Sequence, residues 1–390
     1  MLMTFDKPNN ESPFLSFNAT ALRQRGAKQR KRFSNKARVR RLLEDKRLGG
    51  ARLGLPAQHA LLSSPDQITA EVLGDRVALK FAYGWSAKGV MLLERTGGDR
   101  YFDHMALREW TLDAIRERQR AVAARFRRKK PAWIVEEFLC GLQPGAAPFD
   151  YKFYMFQGQI AMVAQIDRNS SPPRMVKLGS DLKPLIEGRD YKFKAKDLQS
   201  AVPVVPRSAV MLSRWAIELS QMTDSPFVRV DLYDTVDGPA FGEFTFSSGA
   251  EIRRTVTYSQ QLLDTFDRLF LDAQKTLDGA PVQHPHTWST ALQSTDPETL
   301  AAQPQIGAAE YERFAYYLYN RGSLGGYRLA QAQRNLEDDG ADNSINHYVS
   351  EAHKAAARRV KARPKPAQPL LGKVARKVCR RVFPPSESSQ

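Results

Sequence analysis

The apolar positions along the chain change period several times, and each change predicts an element. Ser34-Asn35 can cap a helix over 36–46, with Val39, Leu42 and Leu43 on one face. Residues 77–79 and 90–93 are short apolar runs of strand type, and they flank a loop of small and polar residues. Met105, Leu107, Trp110, Leu112, Ile115 and Val122 predict a long helix over 105–128. Residues 133–139 read as a strand, and 149–157 with 159–166 as a hairpin turning near Gln157-Gly158. A helix over 208–221, strands over 227–233 and 240–246, and a helix over 258–275 complete the regular part.

Helices mixed with antiparallel hairpins predict an α+β fold over residues 34–278. Within it, 34–75 reads as a preceding segment and 76–278 as the main domain. Residues 1–33 are polar, end in a basic run over 23–32, and predict a basic mobile arm. Pro, Gln, Ser and Thr mark 279–306 as a linker. Residues 307–390 predict a helical, partly disordered, basic extension. His284 and His286 fall in the linker without a third ligand, which favours linker over metal site.

Composition narrows the class. A chain of 390 residues suits two or three domains, and a hydrophobic fraction of 42% excludes a wholly disordered one. Two cysteines, Cys140 and Cys379, exclude a disulfide scaffold and a Cys-based zinc site. They fit a reducing, cytoplasmic setting. No apolar run approaches the length of a membrane span, and residues 1–17 lack a signal-peptide pattern. The net charge of +17 is uneven. Residues 21–50 carry 12 basic and 2 acidic side chains, 116–130 carry 8 and 1, and 351–390 carry 11 and 2. The remainder is slightly acidic, so three basic segments seek an anionic partner, and the pattern argues against a nucleic-acid coat. Over 369–383, Leu371, Val374, Val378 and Val382 form a stripe among basic residues, which suits peripheral docking on an anionic membrane face as well as a solubilising tail.

The hairpin at 227–246 carries the strongest chemical signal. A turn centred on Asp237 sets Asp231 opposite Glu243 and Arg229 opposite Thr245, all on one face. Val228, Val230, Leu232, Phe244 and Phe246 fall on the other, buried face. Two opposed carboxylates repel and need a cation. A Mg²⁺ ion shared with substrate phosphates suits an all-oxygen site, and Arg229 can hold a phosphoryl or carboxylate oxygen. A solvated face with an Asp–Arg ion pair would carry the same residues. Lys80 at a strand end, with Gly84, Lys88 and Gly89 in the following loop, is one way to hold a nucleoside triphosphate. In Glu136-Glu137-Phe138-Leu139, one carboxylate can accept from a ribose while the backbone meets an adenine edge. Lys152 and Arg168, on the two strands of one hairpin, can face one anion.

In order, these pieces resemble the ATP-grasp superfamily, and in detail the TupA-like ATP-grasp family, named for teichuronopeptide biosynthesis. The strings that carry the likeness are Asn35-Lys36, Val77-Ala78-Leu79-Lys80, Ile134-Val135-Glu136-Glu137-Phe138-Leu139, Asp150-Tyr151-Lys152-Phe153, Phe227-Val228-Arg229-Val230-Asp231-Leu232-Tyr233 and Gly242-Glu243-Phe244-Thr245-Phe246. They cover about residues 34–270. Three places depart from the family pattern: Tyr83-Gly84-Trp85-Ser86 stands for a His-Gly-Ser-Gly-like loop, Thr245 for an asparagine, and Ser247-Ser248-Gly249 for a proline segment. The resemblance implies two α+β subdomains clamping a nucleotide, and an ATP- and Mg²⁺-dependent carboxylate–amine ligase that works through an acyl phosphate. It implies that Lys80, Lys88, Gly84, Gly89 and Lys36 hold ATP phosphates and that Glu136, Glu137, Phe138 and Leu139 hold adenosine. It assigns Mg²⁺ to Asp231, Glu243 and Thr245, and the reacting groups to Arg229, Arg168 and Lys152. The family's name points to a uronic acid or amino acid on a bacterial cell-surface polysaccharide precursor as carboxylate acceptor, joined to an amine. A non-catalytic binder of anionic polymer or nucleic acid, and an ATP-grasp phosphotransferase, are the alternatives.

Overall fold

The computed structural model describes residues 12–281, save 84–88, 127–129, 142–145, 181, 183, 195–197, 202, 205 and 207. The expected extension over 307–390, its stripe at 369–383 and both linker histidines lie outside the described residues, as do Gly84 and Lys88.

The described residues begin with three helices, α1 (Pro13–Thr20), α2 (Ala27–Phe33) and α3 (Lys36–Leu43). Ser12 caps α1 by accepting from the Leu15 amide at 3.2 Å, and Pro13 stands at its first position. Phe14, Phe17 and Ala21 are buried at helical spacing. The Phe14 ring meets those of Phe156, Phe227 and Phe266 at 5.4, 4.8 and 5.6 Å. The Ser12 hydroxyl and the Phe14 amide both donate to Asp267 Oδ1, at 2.6 and 3.1 Å. Over 12–33 the expectation of a mobile arm is therefore corrected. An apolar stripe anchors the segment, and its cations, apart from the buried Arg30, lie on the outside of a docked element.

Six strands form a first antiparallel sheet: β1 (Gln58–Leu62), β2 (Arg76–Phe81), β3 (Met91–Gly97), β4 (Arg100–Asp103), β5 (Arg108–Thr111) and β6 (Trp133–Glu137). Their spatial order is β1-β6-β2-β3-β4-β5. Helix α4 (Leu112–Phe126) covers one face. Val77, Leu79, Phe81, Trp133 and Val135 alternate onto that face and pack with Leu112 and Ile115. The expected helix over 105–128 is corrected at its start. Residues 100–111 form a hairpin, the chain turns through Leu107 at φ 51°, and the helix begins at Leu112.

The second sheet holds β7 (Phe149–Phe156), β8 (Gln159–Asp167), β9 (Arg174–Gly179), β10 (Gln199–Ser200), β11 (Val228–Thr235) and β12 (Gly238–Thr245), in the order β10-β9-β8-β7-β11-β12. Only β9 and β10 run parallel among these pairs. Gln157 and Gly158, at φ 44° and 84°, make the expected two-residue turn between β7 and β8. Helices α5 (Ala209–Gln221) and α6 (Gln260–Leu277) pack with this sheet and with α1–α3 into the larger core. No helix among the described residues is long and apolar enough to cross a membrane.

Candidate active site

The β11–β12 hairpin closes on a two-residue turn, with Thr235 opposite Gly238 and Tyr233 opposite Ala240. Continued without a break, that register would set Glu243 opposite Val230, on the buried face. A β-bulge at Gly242 adds one residue to β12. Beyond it Asp231 faces Glu243 and Arg229 faces Thr245, as the sequence predicts. The turn is tighter than expected and the bulge restores the pairing. A Cβ on Gly242 would stand 2.8 Å from Tyr233 Cε2 and 3.0 Å from the Asp231 carbonyl oxygen, so the bulge is tightly enclosed.

Strand β7 lies on the other side of β11 and sets Lys152 beside Asp231 and Asp150 beside Tyr233. Charges of both signs meet there. Arg229 Nε and Nη2 donate to the two oxygens of Asp231, each at 2.7 Å. Lys152 Nζ donates to Asp231 Oδ2 at 2.5 Å and pairs with Asp150 Oδ2 at 2.7 Å. Arg168 donates to the same Asp150 oxygen at 3.1 Å, and Lys36 pairs with Glu243 at 2.7 Å. Asp231 is 1% exposed, so its pairing with Arg229 is a buried bidentate contact rather than a solvated one. Burial alone would raise the Glu243 carboxyl, but Lys36 and Lys152 outweigh it and hold it down to about 2. Burial would likewise raise Asp150; Lys152 and Arg168 reverse the sign.

Behind this row, Arg229 also donates to Thr245 Oγ1 at 3.0 Å and Ser248 Oγ at 3.3 Å. Farther back, Glu251 Oε1 accepts from Tyr154 at 2.9 Å and Tyr258 at 2.5 Å. Lys177 lies over both tyrosine rings, and burial brings its ammonium down to about 8. Tyr154 is the cross-strand neighbour of Arg229, so this buried cluster backs the guanidinium.

The first sheet supplies the facing wall. Ala78, Lys80 and Glu136 alternate onto the face opposite the α4 core. Lys80 is ion-paired with Glu136. The Glu137 carboxylate accepts from the Ala57 amide at 2.9 Å. The Phe138 side chain, whose backbone the sequence reading set at an adenine edge, turns away from the cleft, under the Arg76 guanidinium at 4.3 Å and against His104 at 5.2 Å. Gly89 is buried too, against Val122 and Phe81 on the α4 side.

Between the walls lies a cleft of about 910 Å³, open solvent at its mouth included. Of the sequence-predicted residues, Lys36, Lys80, Glu136, Glu137, Leu139, Lys152, Arg168 and Glu243 line it. Arg229, Asp231, Thr245, Phe138 and Gly89 stand behind the lining. Asp150 and Tyr233, which sequence reasoning carried in its strings without a site role, also face the cleft. Asp150 shares the parity of Lys152 on one strand, and that parity is the signal that could have found it. Its Oδ1 is buried without a hydrogen-bond partner. Phe81, Val90, Leu92 and Met105 make one part of the lining apolar.

Among the described residues no group of three or more acidic, His or Cys side chains gathers at metal-binding spacing. Of the three residues expected at a Mg²⁺ ion, Glu243 fits one, since Mg²⁺ takes one or two carboxylates and completes its shell with water and phosphate oxygens. Glu243 is ionised and open to the cleft, with a side chain 33% exposed. Asp231 has both oxygens on Arg229 and Lys152, and the Thr245 hydroxyl is engaged by Arg229.

The sequence profile of the TupA-like ATPgrasp family matches residues 20–266, from the end of α1 into α6. None of the curated proteins compared with the chain matches it. Solved structures that align with it include the ATP-grasp ligase PsnB complexed with a phosphomimetic variant of minimal precursor, Mg and ADP. There the identity is 14% and the TM-score 0.32, over 62% of this chain and 60% of that one. D-alanine–D-alanine ligase from Bacillus anthracis complexed with ATP aligns at 11% identity and TM-score 0.36, over 64% and 70%. D-alanyl-alanine synthetase A from Vibrio cholerae O1 biovar eltor aligns at 11% and 0.38, over 65% and 67%. The chain thus spans less than two thirds of the length of PsnB.

Proposed function

Since the chain belongs to the TupA-like ATP-grasp family, and so has the ATP-grasp fold, we propose that it is an ATP- and Mg²⁺-dependent carboxylate–amine ligase. The observation that carries this reading is the gathering of Lys36, Lys80, Lys152 and Arg168 around one cleft, each held by a carboxylate. A triphosphate offers these cations the same hard oxygens that Glu243, Glu136 and Asp150 now supply. Lys80 and Lys36 would hold phosphate oxygens from opposite walls. The apolar part around Leu92 and Met105 would take the adenine. Glu243 would hold Mg²⁺, which would supply charge neutralisation at the transferring phosphoryl group, while Asp231 would fix Arg229 and Lys152 behind it.

The reaction needs no nucleophile from the protein. Among the described lining residues there is no Cys, Ser, Thr or His. A carboxylate oxygen of the acceptor attacks the γ-phosphorus as its bond to the β-bridging oxygen breaks, and ADP leaves. The amine nitrogen then attacks the acyl carbon, phosphate leaves, and the amine proton passes to solvent. The chain's part is to position and to neutralise. Lys152 and Arg168 would bind the transferred phosphoryl oxygens. Arg229, its charge kept by Asp231 against the opposing effect of burial, would add a fixed positive potential from behind. The family's name supports a uronic acid or amino acid of a bacterial cell-surface polysaccharide precursor as acceptor, met in the cytoplasm where ATP is made.

Incubating the protein with ATP, Mg²⁺ and paired panels of uronic acids and amines tests this. The expected result is ADP and phosphate in equal amounts with a new amide. ADP with a phosphorylated product and no free phosphate would instead establish a phosphotransferase.

A further inference from the structure

Helices α2 and α3 turn a row of cations outward. Over residues 23–47, nine Lys and Arg residues are exposed against two exposed acids, Glu44 and Asp45. Lys28, Lys31 and Arg32 stand on α2, Arg38 and Arg41 on α3. None of these five makes an ion pair among the described residues. The helices are roughly 10 and 12 Å long at 1.5 Å per residue, so the face is larger than a single small anion needs.

What the helices bury identifies the partner's chemistry. Phe33, Val39 and Leu43 point into the core, and no large apolar side chain is exposed between residues 20 and 47. An anionic membrane is held by apolar side chains inserted beside the cations. Single-stranded nucleic acid is held by exposed aromatic rings. This face carries neither. Six of its nine cations are arginines, whose forked guanidinium matches carboxylates and phosphates in two-point contacts; the carboxylate acceptor of the cleft selects the first. The face also leads to the cleft. Lys36, the first residue of α3, reaches into it and pairs with Glu243 at 2.7 Å.

We propose that the outward face of α2 and α3 is the docking surface of the acceptor, a polymer bearing repeated carboxylates, whose reacting carboxylate is delivered past Lys36. The delivery rests on the ligase reading; the docking is measured without nucleotide, so each can fail alone.

The test titrates full-length protein into fluorescent polygalacturonate and reads anisotropy. The protein is wild type, a Lys31→Glu, Arg38→Glu, Arg41→Glu variant, or a control with Lys373→Glu, Arg376→Glu, Arg380→Glu. The expected result is wild-type binding that weakens steeply with salt and falls at least tenfold in the α2–α3 variant. The control should bind as wild type does, and neutral dextran should not bind. Equal binding by wild type and the α2–α3 variant overturns the proposal, as does a loss confined to the control. Tighter binding of duplex DNA or phosphatidylglycerol vesicles, dependent on the same three residues, overturns it in favour of those partners. Polymer binding that depends on α2–α3 in a protein that fails to bind ATP supports the docking surface and removes the ligase reading.

Discussion

Asp231 and Glu243 are the same chemistry held in two ways, and their substitutions should differ accordingly. Asp231 is 1% exposed and saturated by Arg229 and Lys152. Asp231→Asn leaves two buried cations short of charge, and should destabilise the protein by about 3–5 kcal/mol, read as a lower urea midpoint. Glu243 sits nearer the cleft with Lys36 as its direct partner, and Glu243→Gln should cost on the order of 1–3 kcal/mol at neutral pH, less than Asp231→Asn because the carboxylate is partly exposed. That cost belongs to neutral pH and fades in acid. Folded Glu243 stays ionised down to about 2, from an ordinary value of 4.5. The unfolded chain takes up that proton first, so the stability Glu243 contributes is complete above the ordinary value and is lost as pH falls through the folded one. Urea midpoints between pH 2 and 7 should fall less steeply in Glu243→Gln than in wild type.

At the scale of elements, the hairpin faces were legible because alternation is a two-residue rule. Odd positions of β11 hold Arg229 and Asp231; even positions hold Val228, Val230 and Leu232 at 0% exposure. The bulge was not legible. Its reason is the Tyr233 ring and the Asp231 carbonyl packed around Gly242, which exist only once the strands are paired. Gly242→Ala should cost about 1–3 kcal/mol and lower the thermal midpoint, since its Cβ would press on both. The false start of α4 has a local cause: Met105, Trp110 and Leu112 mimic helical spacing across a β-hairpin. The arm was misread because the charge of 23–32 was weighed and the Phe14, Phe17, Ala21 stripe was not. Phe14→Ala should therefore cost about 3–5 kcal/mol in chemical denaturation, where a mobile arm would show no change.

The whole molecule places two sheets across a cleft, and the charges on the two walls only make sense together. The sequence could assign Lys80, Glu136, Lys152 and Glu243 to strand faces by parity. The family resemblance set Lys36, from a segment ahead of both sheets, among the phosphate contacts, and the fold shows it at the same cleft, paired with Glu243. The fold also shows that Arg229 and Asp231 form the cleft's backing rather than its lining. The ligase reading requires that this cleft take a metal–nucleotide complex. The direct measurement is calorimetric titration of ATP into wild type and Glu243→Gln, with and without Mg²⁺, with unfolding midpoints recorded for both proteins. ATP binding that needs Mg²⁺ and weakens at least tenfold in Glu243→Gln, with a midpoint that leaves the variant folded under the titration conditions, is the predicted result. A folded wild type that binds no ATP, or one whose binding is the same in the variant and without Mg²⁺, would contradict the account.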